Sequence, residues 1–272
     1  MENKYKVAAQ RQWNEHPCGA PSSEPPSDED LELKAYFDKI SESRYQSNSW
    51  LNSALPWEDV FGQKVLEIGH GIGTDLVRMS KNGAIVSGID LTERHHQMAM
   101  KNLKLHGNNA ELVLGDAATL PFEDDCFDLS YSIGVLHHTP DFDVCLNEIH
   151  RTLKPGGKVV ISVYHRWSFF HLLHKCFVEG VLRGKLLRLG YKGLMATVEQ
   201  GCDGITNKPL VNTYGASELS VLFSIFKEVK FKVSHLDPSH TALPFLGATL
   251  SMASCKKYAS RFGWYITAYA EK

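Results

Sequence analysis

Between Gly62 and His165 the apolar positions fall into short runs of strand length, separated by segments in which apolar residues recur at helical spacing. The apolar runs occupy residues 64–68, 84–89, 111–114, 127–133 and 159–164. The helical patterns occupy residues 75–81, 92–106 and 142–153. Because buried parallel strands are continuous apolar runs joined by helices, this alternation predicts an α/β domain whose parallel sheet is covered on both faces.

The pattern changes on both sides of this region. Residues 1–57 show no strand pattern, and a loop rich in proline and serine at 21–27 precedes Leu33, Phe37 and Ile40, which recur at helical spacing. This spacing predicts one amphipathic helix, with Ser27 as its N-cap.

After residue 165, the stretch 169–187 combines apolar and basic residues. A helix is predicted at 217–226, and strands that extend the sheet are predicted at 229–236 and 264–270. We therefore divide the chain into an N-terminal helical cap, a core, a cap or lid and the C-terminal strands that complete the core sheet. The corresponding residues are 1–57, 58–165, 166–226 and 227–272.

Composition narrows the class of protein. With 272 residues and 43% hydrophobic content the chain can fill a sizeable core, and a formal net charge of −2 argues against nucleic-acid binding by bulk electrostatics. Six cysteines are scattered without a Cys-x-x-Cys pair, which is typical of a reduced compartment. The polar start and the lack of an apolar run of roughly 20 residues argue against a signal peptide and a membrane span, so we expect a cytoplasmic protein.

The first apolar run leads into a glycine-rich turn. Three glycines alternate after it at Gly69, Gly71 and Gly73, and a helical pattern follows. This arrangement predicts a buried strand, a tight turn whose backbone can touch a ligand, and a helix N-terminus. In the Gly-x-Gly-x-x-Gly fingerprint of dinucleotide-binding proteins the third glycine comes one residue later, and this difference opposes a nicotinamide-dependent dehydrogenase.

Acidic residues stand at the ends of three successive strands. Glu67 lies at the end of the first, Asp90 at the end of the second and Asp116 just after the third. The carboxyl ends of parallel strands share one edge of a sheet, where ligands of such folds bind. Three carboxylates there favour a ligand with amines, hydroxyls and positive charge over a pyrophosphate. The alternative is that Asp90 and Asp116 only cap helices and turns.

These segments together resemble the class I S-adenosylmethionine (SAM) dependent methyltransferases, especially the small-molecule enzymes of ubiquinone and menaquinone biosynthesis. The resemblance rests on Glu67-x-Gly-x-Gly-x-Gly, Gly88-Ile-Asp-Leu-Thr, Gly115-Asp-Ala and Leu153-Lys-Pro-Gly-Gly, within residues 65–164. It implies a doubly wound, Rossmann-like α/β fold. Its seven-stranded sheet would be mostly parallel, with the last strand antiparallel, and a helical cap would lie beside it.

The same resemblance implies SAM as the cofactor and assigns roles to residues of this sequence. Gly69, Gly71 and Gly73 would face the methionine portion, Asp90 the ribose and Asp116 the adenine. Glu67 would act through water or loop amides. The remaining expected cofactor-binding residues are Leu91, Ala117, Ile133 and Arg44.

Two adjacent histidines, His137 and His138, follow the fourth strand, where the transferred methyl group should lie. A hydroxyl or ammonium acceptor must lose a proton, and histidine is suited to take it at neutral pH. We favour His138 as the base or orienting group because related N- and O-methyltransferases often carry a histidine there. The alternative is that one or both histidines only bind loop backbone or cofactor.

Two departures from the family restrict the chemistry. Gly134 and His137 stand where some relatives carry the glutamates of a Glu-x-x-Glu-His motif, so we do not transfer that function and assign no metal. The Asn/Asp-Pro-Pro-Tyr signature of nucleic-acid amino-methyltransferases is absent after the fourth strand, which makes a nucleobase substrate less expected.

The segments outside the sheet must form the acceptor pocket, because the cofactor core is generic. The expected substrate-binding residues are Trp13, Tyr45, Tyr164, Arg166 and Trp167, with Trp13 placed in a turn at 13–19. The alternative for each of these residues is that it only packs in the fold or lies on the surface.

The segment 169–187 is either a lid over a hydrophobic acceptor or a basic amphipathic helix on a membrane surface. His171 and His174 lie one helical turn apart within it, but no further ligand stands at suitable spacing, so we assign them no metal.

The sequence thus predicts an enzyme that moves a methyl group from SAM to an O or N atom of a small molecule, such as a secondary metabolite or a quinone-like compound. The alternative function is a non-catalytic SAM-binding sensor or assembly subunit. The expected partner is the small-molecule acceptor and not a nucleic acid, and the sequence assigns no oligomeric state.

Overall fold

The computed structural model describes residues 4–17, 29–243 and 249–272. Outside these residues lie Cys18 and the predicted loop at 21–27, which includes Ser27, the predicted N-cap of the following helix. Within them, no helix is long and apolar enough to cross a membrane.

Seven strands form one sheet in the order β3-β2-β1-β4-β5-β7-β6. The strands are β1 (Lys64–Ile68), β2 (Ile85–Asp90), β3 (Glu111–Leu114), β4 (Phe127–Ile133), β5 (Leu153–Tyr164), β6 (Lys227–Ser234) and β7 (Tyr265–Glu271). The first five strands pair in parallel, and β7 pairs antiparallel with both β5 and β6. The predicted α/β, Rossmann-like sheet with an antiparallel last strand is confirmed.

Helices cover both faces and one edge of this sheet. They are α1 (Lys4–Glu15), α2 (Asp30–Ser47), α3 (Thr74–Lys81), α4 (Glu93–Leu105), α5 (Phe142–Thr152), a π-type helix (Phe170–Leu182), α6 (Lys185–Ala196), α7 (Ala216–Leu222) and α8 (Met252–Phe262). Short 3₁₀ turns lie at Ser49–Ser53, Leu136–His138 and Pro238–Thr241.

Two apolar cores lie on opposite faces of the sheet. Successive residues of β1 point to opposite sides, so Leu66 packs in one core with Leu146 and Ile149 of α5. Its neighbour Val65 packs in the other core with Met79 of α3. The continuous apolar strands of the sequence therefore arise because both faces are buried.

Some element boundaries differ from the sequence prediction. The fifth strand begins at Leu153, directly after α5, but the Lys-Pro-Gly-Gly segment is skipped in its register with β4, and Gly156 turns there with a φ of +78°. The stretch 169–187 is not one helix, because the chain turns at Gly184, whose φ is +68°. The helix predicted at 217–226 runs over Ala216–Leu222.

The N-terminal cap contains a helix that the sequence did not reveal. The sequence predicts a turn at Trp13, and this prediction is wrong, because Trp13 lies inside α1. Only Ala9 and Gln12 of α1 are buried, so the helix does not bury a continuous apolar face of the kind that marks an amphipathic helix in a sequence. The predicted helix with Leu33, Phe37 and Ile40 buried is confirmed as α2.

Candidate active site

A cavity of about 240 Å³ opens at the carboxyl ends of β1, β2 and β4. This is the switch point of the sheet, because the chain continues from β1 towards β2 on one side and returns to β4 on the other. The loops after these strands form its floor, and residues from α1 and α2 cover it. Among the sequence-predicted residues, the cavity is lined by Trp13, Arg44, Glu67, Gly69, Gly71, Asp90, Leu91, Asp116, Ala117, Ile133, His138 and Tyr164.

The glycine turn requires glycine at each alternate position. Gly69, Gly71 and Gly73 have φ values of +73°, +52° and +76°, which side-chain-bearing residues rarely adopt. A Cβ at Gly69 would come within 2.5 Å of Val135, whereas a Cβ at Gly71 would meet no protein atom within 4 Å. The backbone at Gly71 therefore faces open space, as a ligand cradle requires.

Asp90 links this turn to the end of β2. One oxygen accepts a hydrogen bond from the Gly71 backbone N–H (2.9 Å), and the other accepts from the backbone N–H (2.9 Å) and hydroxyl (2.8 Å) of Thr92. Burial would raise the pKa of Asp90, but hydrogen bonding and charge from His95, together with Thr92, lower it to about 2. The side chain is thus a fixed carboxylate at the cavity wall.

Behind the turn, two buried acids share one cation. Arg44 donates two hydrogen bonds to Asp75, at 3.0 and 2.6 Å, and the Tyr45 hydroxyl donates a third at 2.7 Å. Burial, followed by the charge of Asp75, raises the pKa of Glu67 well above its ordinary value. Arg44 therefore balances the charge of Asp75, and Glu67 holds its proton more tightly than an exposed glutamate does.

The predicted adenine acid, Asp116, is held by a residue for which the sequence predicts no role. Lys6 of α1 forms ion pairs with Asp116 (2.5 Å) and Asp141 (2.6 Å). Burial lowers the pKa of Lys6, but its bonds to the two carboxylates outweigh this effect and raise it. A second bond in α1, from the Gln10 amide to the Leu91 carbonyl oxygen (3.1 Å), also joins this helix to the cavity wall.

His138 lies in the cavity with a defined orientation. Its Nδ1 is 2.7 Å from the Leu210 carbonyl oxygen, and because a carbonyl only accepts, Nδ1 carries a hydrogen. Its Nε2 lies 3.6 Å from Oε1 of Glu199. The ring of Trp13 lies against His138, with centroids 4.6 Å apart.

Glu199 belongs to the cap and was not found from the sequence, where a single acid in a polar segment gives no signal. Its side chain is 11% exposed. The Tyr164 hydroxyl lies 3.3 Å from the same Oε1 and donates to it. Glu199, His138 and Tyr164 therefore meet at the end of the cavity beyond β4 and β5.

His137 is placed differently from its neighbour. It is fully buried outside the cavity lining, its ring packs against Tyr164 at a tilt of 40° with centroids 3.8 Å apart, and neither ring nitrogen has a hydrogen-bond partner among the described residues. Burial, and then the proximity of His138, lowers its pKa well below the ordinary value. One ligand atom each from His137, His138 and Glu199 lie within 4.8 Å of one another, so these three groups are able to hold a metal ion.

The other predicted substrate residues lie apart from the cavity. Tyr45 is behind the glycine turn, where it binds Asp75. Arg166 pairs with Glu218 (2.6 Å), and Trp167 is 58% exposed. Several further residues of the wall were not predicted from the sequence. They are Lys6, Ile40, Asn48, Trp50, Leu51, Glu199 and Tyr265.

Comparisons with known proteins agree with this geometry. Residues 66–161 match the protein family described as "Methyltransferase domain". The chain is 42% identical over 103 residues to the demethylmenaquinone methyltransferase of Staphylococcus haemolyticus, covering 36% of this chain and 42% of that protein. It is 34% identical over 104 residues to the methyltransferase GfsG of Streptomyces halstedii, covering 37% of each. These matches thus span less than half of either relative.

The fold likeness extends further along the chain than the sequence match. A SAM-dependent methyltransferase from Archaeoglobus fulgidus superposes with a TM-score of 0.55 at 15% identity, covering 87% of this chain and 100% of that one. At this identity the likeness concerns the fold alone. The sheet order, the glycine turn with its acids and the family match lead to one conclusion. Residues 66–161 form a methyltransferase domain of the class I type, whose cofactor is S-adenosylmethionine.

Proposed function

We propose that this protein transfers a methyl group from SAM to an N or O atom of a small molecule, with His138 taking the acceptor's proton. The observation that carries the proposal is the direction of the His138 ring. Leu210 fixes the hydrogen on Nδ1, so Nε2 presents its lone pair to the cavity beside Glu199.

The residues of the cavity suit the cofactor. SAM supplies an electrophilic methyl group on a positively charged sulfur. Gly71 offers bare backbone, and Asp90 offers a carboxylate that suits ribose hydroxyls. Asp116 would hold the adenine end, where Lys6 now lies against it.

The acceptor end favours a group with N–H or O–H bonds. The lone pair of His138 Nε2 and the carboxylate of Glu199 are both acceptors and face each other at 3.6 Å. A hydrogen-bond donor beside this pair would satisfy the lone pair of Nε2 and add to the hydrogen bond that Oε1 accepts from Tyr164, and unsatisfied buried polar groups are costly. An amine or hydroxyl supplies that donor, whereas a carbon acceptor does not.

The walls around this point contribute alignment and exclude water. Trp13 packs against His138, and Tyr164 lies across the end of β5 with Trp264 stacked on it at 4.2 Å. Methyl transfer is an in-line displacement, so holding the acceptor, the methyl group and the sulfur in a line can account for much of the acceleration.

The experiment is an assay of S-adenosylhomocysteine formation with a panel of small amines, phenols and quinols, together with calorimetric binding of S-adenosylhomocysteine. Wild-type turnover that is lost in His138→Ala, with binding retained, supports the proposal. Tight binding without turnover of any compound would instead indicate a non-catalytic SAM-binding protein. A metal ion retained through purification and lost in both His138→Ala and Glu199→Gln would replace proton transfer with metal chemistry at this site.

A further inference from the structure

The π-type helix and α6 form a hairpin whose turn exposes a cluster of apolar side chains. This hairpin tip comprises residues 181–188, Val-Leu-Arg-Gly-Lys-Leu-Leu-Arg. Val181, Leu182, Leu186 and Leu187 are 60%, 51%, 37% and 95% exposed, and Leu187 is the most exposed large apolar side chain among the described residues. Four exposed apolar residues within eight positions form a local surface, unlike single exposed residues, which need no explanation.

The tip is built on an anchored base and is not a loose loop. Val178 of the π-type helix and Leu189 and Leu194 of α6 are buried. Gly180 allows the two helices to approach closely, since a Cβ there would lie 3.0 Å from Leu194. The left-handed Gly184 then reverses the chain. The hairpin therefore presents its apolar tip in a fixed position.

The charge of this hairpin is opposite to that of the chain as a whole. Between Phe170 and Lys192 there are five basic residues and one acid, whereas the complete chain carries a formal net charge of −2. The single acid, Glu179, is already paired with Lys175, Arg183 and Lys185. Arg188 is exposed at the tip, next to Leu187.

Apolar side chains among basic ones match one kind of surface. An anionic lipid bilayer offers hydrocarbon below a layer of negative headgroups, so it receives both sets of side chains at once. A protein partner would need an acidic rim around an apolar socket of matching shape. We propose that the hairpin tip, residues 181–188, docks this protein on an anionic membrane surface, with Leu186 and Leu187 entering the interface and Arg188 contacting the headgroups.

The proposal is tested by sedimentation of the full chain with vesicles of phosphatidylcholine, with and without phosphatidylglycerol. Wild type is expected to sediment with the anionic vesicles and to be released by added salt. Vesicle binding needs no methyl acceptor, so its result is independent of the proposed activity.

Two variants assign the binding to the tip. The double variant Leu186→Asn/Leu187→Asn and the single variant Arg188→Glu should each weaken vesicle binding about tenfold or more. The matched control is Leu31→Asn, which removes another highly exposed leucine, at the start of α2, and should bind as wild type does. Binding of S-adenosylhomocysteine verifies that each variant is folded.

Three results would overturn the proposal. Wild type that stays in the supernatant with anionic vesicles excludes membrane docking. Unchanged binding of both tip variants places the contact elsewhere. Concentration-dependent self-association that the tip variants abolish, without vesicle binding by wild type, assigns the surface to a second copy of the chain.

Discussion

Nε2 of His138 lies 3.6 Å from Oε1 of Glu199, and both residues line the cavity. His138 follows β4, whereas Glu199 follows α6 in the cap. Under the proposed mechanism the acceptor's N–H or O–H group lies beside the pair and donates to Nε2. The pair thus joins the cofactor side of the sheet to the cap.

Replacing His138 with alanine should lower the turnover rate by about 10²- to 10⁴-fold, the usual contribution of a general base. Glu199→Gln keeps the shape but removes the charge, and should lower turnover by a smaller factor. Affinity for S-adenosylhomocysteine should not change in either variant. The control is His150→Ala in α5, outside the cavity lining, and a His138→Ala enzyme as active as this control would remove His138 from the mechanism.

A methyl group at Gly71 should selectively damage cofactor binding. Gly71→Ala places a Cβ in open cavity space at a φ of +52°, and we expect the dissociation constant of S-adenosylhomocysteine to rise about tenfold or more. Gly62 is a matched control, because its φ is +73° and a Cβ there also meets nothing within 4 Å. Both variants should lose about 1–2 kcal/mol of stability from backbone strain, yet only Gly71→Ala should lose affinity. Equal affinities in calorimetry would contradict the cradle assignment.

Asp90 should contribute to the free energy of unfolding at neutral pH, and this contribution should be lost in acid. Its pKa is about 2 in the folded chain against an ordinary value of 3.8, so the carboxylate contributes about 2 kcal/mol above pH 4. As the pH falls, Asp90 is protonated in the unfolded chain before it is protonated in the folded chain. The stabilisation therefore disappears as the pH falls from 4 towards 2. Urea unfolding of Asp90→Asn should therefore show a stability loss at pH 6 that shrinks in acid. A loss that stays constant with pH would show that the carboxylate charge is not responsible.

Glu67 should act in the opposite direction. Because its pKa is raised in the folded chain, the folded state holds this proton more tightly than the unfolded state does. Stability should therefore fall as the pH rises above about 4.5, with a slope of at most about 1.4 kcal/mol per pH unit. Glu67→Gln should lack this decline when the cofactor-free proteins are unfolded in urea across a pH series. Parallel curves for the two proteins would contradict a buried, proton-retaining Glu67.

Lys6 should hold α1 over the adenine end of the cavity. Lys6→Met removes both ion pairs, to Asp116 and to Asp141, so we expect S-adenosylhomocysteine to dissociate several-fold faster in stopped-flow measurements. The control is Lys4→Met, which removes an exposed lysine from the same helix without touching either acid. If Lys6→Met instead binds the ligand more tightly, then Lys6 competes with it for Asp116.

The sheet and the cofactor side of the cavity were predictable because their signals are local. A buried parallel strand is a continuous apolar run, and the turn at Gly69 and Gly71 needs glycine for its backbone angles. Both features can therefore be recognised from a few adjacent residues of the sequence. The acids Asp90 and Asp116 follow from their positions at strand ends alone.

The cap was not predictable in the same way. The contact of Lys6 with Asp116 joins residues 110 positions apart, and Glu199 meets His138 only once the whole cap has folded. Neither contact imposes a repeating pattern on the chain. Arg166 and Trp167 lay beside the site in sequence, but Arg166 turns away to Glu218 and Trp167 is exposed.

The position of β7 between β5 and β6 fixes an order in which the sheet can be completed. A ribosome makes β6 before β7, yet β6 pairs only with β7 among the described strands. During synthesis β6 therefore has no place in the sheet until β7 has emerged and paired with β5. Until then β5 presents an unpaired edge, and an exposed edge strand of this kind favours aggregation of the nearly finished chain.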